Sequence, residues 1–270
     1  MTYASIMVSV DLGSDASGRI GIAARLADAF ESRTIGVAAQ SPDHGAAQVG
    51  PMGASALLPG LSRQSVRDGL ARAHDLFREA VGSRSRVLWR SAPEPGLAYL
   101  TGHPRAADLI VVGQGNGNEG TACIRPLDPA SVVLAAGRPV LVVPPGIDHF
   151  EARHVMVAWK DTREARREIF DALLILRLAS HVDVVAVPDG TSGAADVAAY
   201  LATHGIDATS AEIRSDGESD GEALLDWASE GATDLIVMGA YGHGHVRDTV
   251  LGGVTRDVLG YAPISSLLSH

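Results

Sequence analysis

ATDLIVMGAYGHGHVRDTVLGGVT, residues 232–255, decides the fold. DLIVMG is a short, unbroken apolar run, the pattern of a strand covered on both faces. Five glycines follow within fifteen residues, at Gly239, Gly242, Gly244, Gly252 and Gly253, with His243, His245 and Arg247 among them. Glycine weakens helices and strands, so a glycine-rich stretch needs a local reason. VTRDVLG then reads as a short helix. A buried strand, a glycine loop and a helix in that order indicate an α/β protein with a parallel sheet.

The same order occurs twice. AADLIVVGQG (residues 106–115) resembles ATDLIVMGAY (232–241), SIMVSVD (5–11) resembles HVMVAWK (154–160), and the proline of GRPVLVVP, Pro139, matches Pro263 in YAPISSLL. Internal repetition of this kind means repeated structure. Two similar doubly wound domains are expected, 1–147 and 153–270, each a five-stranded, mainly parallel sheet with helices on both faces. PPGIDHFEAR (144–153) is the linker, its Pro-Pro-Gly ending a strand.

In the second half, VMVAW, VDVVAVP, a weak strand near 208–213, DLIVMG and PISSLL are the expected strands. Ala165, Ile169, Ala172, Leu173 and Leu176 share one helical face, and Asp161 with Glu164 forms a candidate capping box. Helices are expected near 194–203 and 221–229. PISSLL carries Ser265 and Ser266 where the first half has PVLVVP. The last strands of the two halves are expected to pair, within the chain or with a second chain.

Bulk properties narrow the function. The chain has 270 residues, 46% hydrophobic and 20% charged, as in a globular protein. A net charge of −10 makes it a poor polyanion binder, so no nucleic-acid partner is expected, although a small phosphate ligand needs only local amides and cations. The single cysteine, Cys123, cannot form an internal disulfide and favours a reducing compartment. The N-terminus lacks signal-peptide character and no apolar run reaches about 18 residues, so no membrane association and a cytoplasmic location are expected.

Ligands in open parallel sheets bind beyond the carboxyl ends of strands, where strand order reverses. The glycine loop leaves such an end. Gly239 and Gly242 can adopt angles closed to other residues. Gly252 and Gly253 stand before a helix whose unpaired N–H groups suit phosphate. Thr255 adds a hydroxyl, and His245 or Arg247 a cation. The plainer alternative is that these glycines only shape a tight connection.

Other motifs carry less. His243 and His245 supply two metal-ligand types without a third, so loop polarity or phosphate contact is the simpler reading. GNGNEG (115–120) matches a dinucleotide fingerprint by letter but follows a fourth strand, not a first. No nucleophile elbow, Walker A motif or catalytic carboxylate pair is present. Asp248 reads as a solvated loop residue, and Arg163, Arg166 and Arg167, alternating with Glu164 and Glu168, as a solvated helix face.

Gly239-x2-Gly242-x9-Gly252 after DLIVMG resembles the nucleotide loop of the universal stress protein family, and the two-half layout resembles its tandem members. The resemblance is strong in the second half and weaker in the first. It implies strand order 3-2-1-4-5 in each half and two fused copies of a dimer-forming domain, an intramolecular pseudo-dimer, with a homodimer of whole chains as a further assembly. It implies ATP or another adenine nucleotide, with Mg, in the second half. Gly239, Gly242, His243, Gly252, Gly253, Val254 and Thr255 would lie at ribose and phosphates, and Ala158, Lys160 and Val187 at the adenine side. It implies a stress-response protein without an assigned reaction.

Two departures stand out. Lys160 replaces the family's strand-one aspartate, and Gly253 replaces its Ser or Thr. The first half keeps Asp11 but has Asp128-Pro129 where glycines would open the helix; Pro129 lacks an N–H and Asp128 repels phosphate. At most one nucleotide site is expected, in the second half. The alternatives are a slow ATP hydrolase using the same cleft and a nucleotide-free protein that binds a lipid or a protein partner.

Overall fold

A computed structural model describes residues 2–42, 47–49, 55–57, 61–115, 123–187, 193–215, 219–240 and 252–270. The first half runs β1 (Ser5–Ser9), α1 (Ala16–Ala29), β2 (Arg33–Ala39), a short pair β3 (Ala47–Val49) and β4 (Ser55–Leu57), α2 (Arg63–Val81), β5 (Val87–Ala92), α3 (Gly96–Thr101), β6 (Leu109–Gly113), α4 (Pro129–Ala136) and β7 (Val140–Val143). The second runs β8 (His154–Trp159), α5 (Arg163–Leu176), β9 (His181–Ala186), α6 (Ala194–Thr203), β10 (Ala208–Glu212), α7 (Asp220–Glu230), β11 (Leu235–Gly239), α8 (Gly253–Tyr261) and β12 (Ser265–Ser269).

Ten strands form one sheet, ordered β10-β9-β8-β11-β12-β7-β6-β1-β2-β5. Within each half the pairings are parallel and the order is 3-2-1-4-5. The halves join where β12 meets β7 antiparallel, with Leu267 opposite Leu141. The expected pairing of the last strands is thus made within the chain. Ser265, Ser266 and Ser269 are buried on this central strand, which is why its polarity signalled a special position.

The strands are apolar throughout because both faces are covered. On β1, Ile6 and Val8 enter one core with Ile20, Phe77, Leu173 and Leu201, while Met7 enters the other with Leu100, Val132, Leu224 and Val258. Helices α1, α2, α5 and α6 therefore cover one face, and α3, α4, α7 and α8 the other.

One local reading changes. The expected Asp161–Glu164 capping box does not form. Thr162 is the N-cap of α5 and accepts from the Ala165 N–H at 3.2 Å, while Asp161 pairs with Arg166 at 2.7 Å. Thr162 is one residue nearer the helix, and a hydroxyl there reaches the third amide of the first turn. A full capping box forms instead on α7, between Ser219 and Glu222.

Candidate functional site

In the second half, β8 lies between β9 and β11, and its following helix, α5, covers one face while α8, leaving β11, covers the other. The carboxyl ends of β8 and β11 thus meet where the connections diverge, the place at which open α/β sheets bind ligands. Ala158 on β8, Val187 after β9, Ile213 after β10 and Val254 in the first turn of α8 are half-buried and pack on the same apolar core. Lys160 is exposed just beyond β8. This is an apolar rim with a cation at its edge. Ile213 was not singled out from the sequence, although its place after the third strand is the signal that could have found it.

The other side of the crevice is the start of α8. Helices α2, α4, α5 and α7 each begin with a side-chain cap, whereas α1, α3 and α6 do not. Gly252, the N-cap of α8, has none, and the first turn holds no acidic residue. A Cβ on Gly252 or Gly253 would meet nothing within 4 Å among the described residues. At φ −54°, Gly252 also has a backbone any residue can adopt. Neither the described packing nor the backbone there asks for glycine, and no side chain of the described residues caps the first amides of the helix. Thr255 is buried at 4% exposure, inside the first turn rather than at its mouth. Gly242 and His243, with His245, Arg247 and Asp248, lie outside the described residues.

Gly239 has a different reason to be glycine. A Cβ there would stand 2.3 Å from the Ala165 amide nitrogen and 2.6 Å from the Glu164 carbonyl carbon. The missing side chain lets the start of α5 press onto the end of β11.

In the matching crevice of the first half the protein's own groups stand at the strand ends and narrow it to small pockets, one lined by Asp11, Arg19, Gly113 and Gln114 and another by Val10, Ala39, Gly96 and Leu127. Arg19, on α1, is 4% exposed and pairs with Asp11, which is 3% exposed. Its Nε donates to the Ser9 carbonyl at 3.2 Å. The second Asp11 oxygen accepts from the Gly13 N–H at 2.9 Å. A Cβ on Gly113, the counterpart of Gly239, would lie 2.6 Å from an Arg19 guanidinium nitrogen. Asp11, which the family resemblance marks as the retained strand-one aspartate, is therefore bound to an internal cation. At α4, Asp128 caps the helix through the Ser131 N–H at 3.0 Å, so a carboxylate already stands at the amides a phosphate would use. Leu127 packs against Gly96, and the Ile124 carbonyl accepts from the Leu12 N–H at 3.2 Å, laying this segment over the strand ends.

Cys123 is buried, and its thiol donates to the Ser65 carbonyl at 2.8 Å. Burial pushes the thiol up from its usual range, the opposite of what a nucleophile needs. Among the described residues no cluster of His, Cys, Asp or Glu could hold a metal ion, and no helix is long and apolar enough to cross a membrane.

Residues 153–270 match the Universal stress protein family. No curated protein matches the chain by sequence. Among solved structures, a universal stress protein from Archaeoglobus fulgidus DSM 4304 is similar with a TM-score of 0.68 at 12% identity, over 98% of this chain and 95% of that one. A Pseudomonas aeruginosa UCBPP-PA14 protein, provisionally described as a universal stress protein, gives 0.58 at 16%, over 99% and 93%. A functionally unknown protein of Pseudomonas aeruginosa PAO1 gives 0.56 at 15%, over 99% and 92%. At these identities the likeness is one of fold, and it extends across both halves.

Proposed function

We propose that residues 153–270 bind one adenine nucleotide, ATP with Mg, across the ends of β8 and β11, and that the chain is a tandem, non-enzymatic stress-response protein. The adenine lies over Ala158, Val187 and Val254, and the phosphates lie at Gly252, Gly253 and the loop from Gly239 through Gly242 and His243. Lys160 adds a cation where the family resemblance implies an acceptor, favouring a ligand of high negative charge. Residues 1–147 serve as a ligand-free structural counterpart.

The observation that carries this reading is the bare start of α8. Two adjacent glycines there face open space among the described residues, in a chain whose equivalent helix is closed by its own aspartate. The family match of the second half supports it. The test copies the first half's solution into the second. Gly252→Asp places a carboxylate at the N-cap of α8, where it caps the helix and repels phosphate. Calorimetric titration of Mg-ATP is expected to show at least about a tenfold loss of affinity. Thermal unfolding without ligand is expected to show a gain of only about a few tenths of a kcal/mol from the new cap. Undiminished binding in a folded variant would refute the placement of the phosphates.

A further inference from the structure

Glu168, in the second turn of α5, is 1% exposed, and neither carboxyl oxygen has a hydrogen-bond partner among the described residues. The other buried carboxylates are paired: Asp11 with Arg19, Glu164 with Arg163, and Asp257 with Ser219. The groups facing Glu168 do not neutralise it. On α5 these are Glu164, Arg167 and Asp171. Arg167 is half exposed and lies 3.5 Å from Asp171. From β12 and the chain end come Ser269 and His270, and the Ser269 hydroxyl donates to Asp171 at 2.9 Å. From the N-terminal segment comes Tyr3, whose hydroxyl donates to the Asp171 carbonyl at 3.3 Å. β11 contributes no titratable side chain. Arg167 and Ser269 are engaged by Asp171, itself a second negative charge, and the Ser269 hydroxyl lies close enough to Glu168 to offset only part of the cost of its burial.

A carboxylate this deeply buried is strongly disfavoured, whereas the neutral acid is tolerated. The location gives this consequence. α5 packs on β11 and β12, and Tyr3 reaches it from the first half, so Glu168 sits under the seam between the halves. The first turn of the same helix touches Gly239, where the glycine loop begins.

We propose that Glu168 is a proton-operated latch: with the proton on, α5 lies closed on the seam, and with the proton lost, α5 loosens from β11 and β12 and disturbs the strand end at Gly239. Burial, the largest cause, pushes the Glu168 carboxyl up to about 8, with Asp171 adding to the rise and Ser269 and Arg167 opposing it. The folded-state value is raised, so the closed state is fully favoured below the ordinary carboxyl range. It weakens as pH rises towards and through about 8. The effect on the ligand site rests on the function proposed above; the latch itself does not.

The test is hydrogen exchange of α5 amides from pH 6 to 9 on the ligand-free chain, corrected for intrinsic exchange and referenced to α6, with wild type and Glu168→Gln compared. Wild-type α5 is expected to lose protection at least tenfold relative to α6, and Glu168→Gln to stay flat. A flat wild-type profile, or an equal loss in Glu168→Gln, would overturn the latch. If the variant fails to fold, carbon-13 NMR titration of the wild-type glutamates decides. A carboxyl titrating near 8, with the loss of α5 protection in the wild type following the same curve, upholds the latch, and none titrating above the ordinary range overturns it. Mg-ATP titration at pH 6 and 9 is read separately. Loosening of α5 with no nucleotide bound at either pH would sink the ligand reading and leave the latch standing.

Discussion

Gly239→Ala is expected to destabilise the protein by about 3 kcal/mol or more, at the upper end of overpacking costs. Elsewhere in a strand, alanine would be favoured over glycine by roughly 0.5–1 kcal/mol, because glycine loses more freedom on folding. Here the added Cβ would stand 2.3 Å from the Ala165 amide nitrogen and 2.6 Å from the Glu164 carbonyl carbon. These are backbone atoms at the first turn of a helix, and they cannot rotate away as a side chain could. α5 must shift off β11, and the buried contacts of Ala165, Ile169 and Leu173 shift with it. The measurement is thermal or urea unfolding, with a melting temperature lower by roughly 6–12 °C. A variant as stable as wild type would show that α5 does not press on Gly239.

Arg19→Met is the second large effect, expected at about 3–5 kcal/mol. Methionine fills much of the same space but leaves Asp11 charged, 3% exposed and short of its cation. The pair itself is a different matter, because replacing both members of a buried ion pair by apolar groups is often close to neutral. The Asp11→Leu, Arg19→Met double variant is therefore expected to recover most of the loss, with Gly13 giving up one hydrogen bond. Urea unfolding of the four proteins in a double-mutant cycle gives the coupling directly. Additive losses would mean that Arg19 and Asp11 do not act as a pair.

These two sites show what could and could not be read from the residues in order. Strands such as LIVVG and LIVMG were legible because a strand covered on both faces must be apolar at every position, and that pattern is local. Strand order came from the family resemblance, and the pairing of the last strands from the contrast between PISSLL and PVLVVP. Arg19 was not legible. Nothing in SGRIGIAARL separates a buried arginine from a solvated one until β6 is placed beside β1. Asp11 read as a retained ligand group because its partner lies on the following helix and its cost of burial appears only in three dimensions. Gly239 read as a loop glycine, yet the contact that explains it comes from a helix some seventy positions earlier in the chain. Glu168 read as one member of a charged helix face, and its burial depends on where β12 lies. By contrast, the blocking of α4 by Asp128-Pro129 was plain in the letters, because a helix cap is set by its immediate neighbours.

The two halves differ at the same place in the fold. Both have the same strand order, and both have a glycine at the end of the fourth strand. In one, an arginine, a capping aspartate and the Ile124–Leu127 segment narrow the crevice to small pockets. In the other, the corresponding helix start has no side-chain cap among the described residues, and the strand ends carry half-buried apolar side chains.

The most direct measurement of the central claim is the number of adenine nucleotides the intact chain holds. Protein purified without added ligand is heat-denatured and the released molecules identified by mass spectrometry, while Mg-ATP is titrated calorimetrically into the native chain. The account predicts an adenine nucleotide released, or micromolar binding, at one equivalent per chain, lost in Gly252→Asp. No nucleotide released together with no heat of binding would contradict the proposed site, and two equivalents per chain would contradict the closed first half.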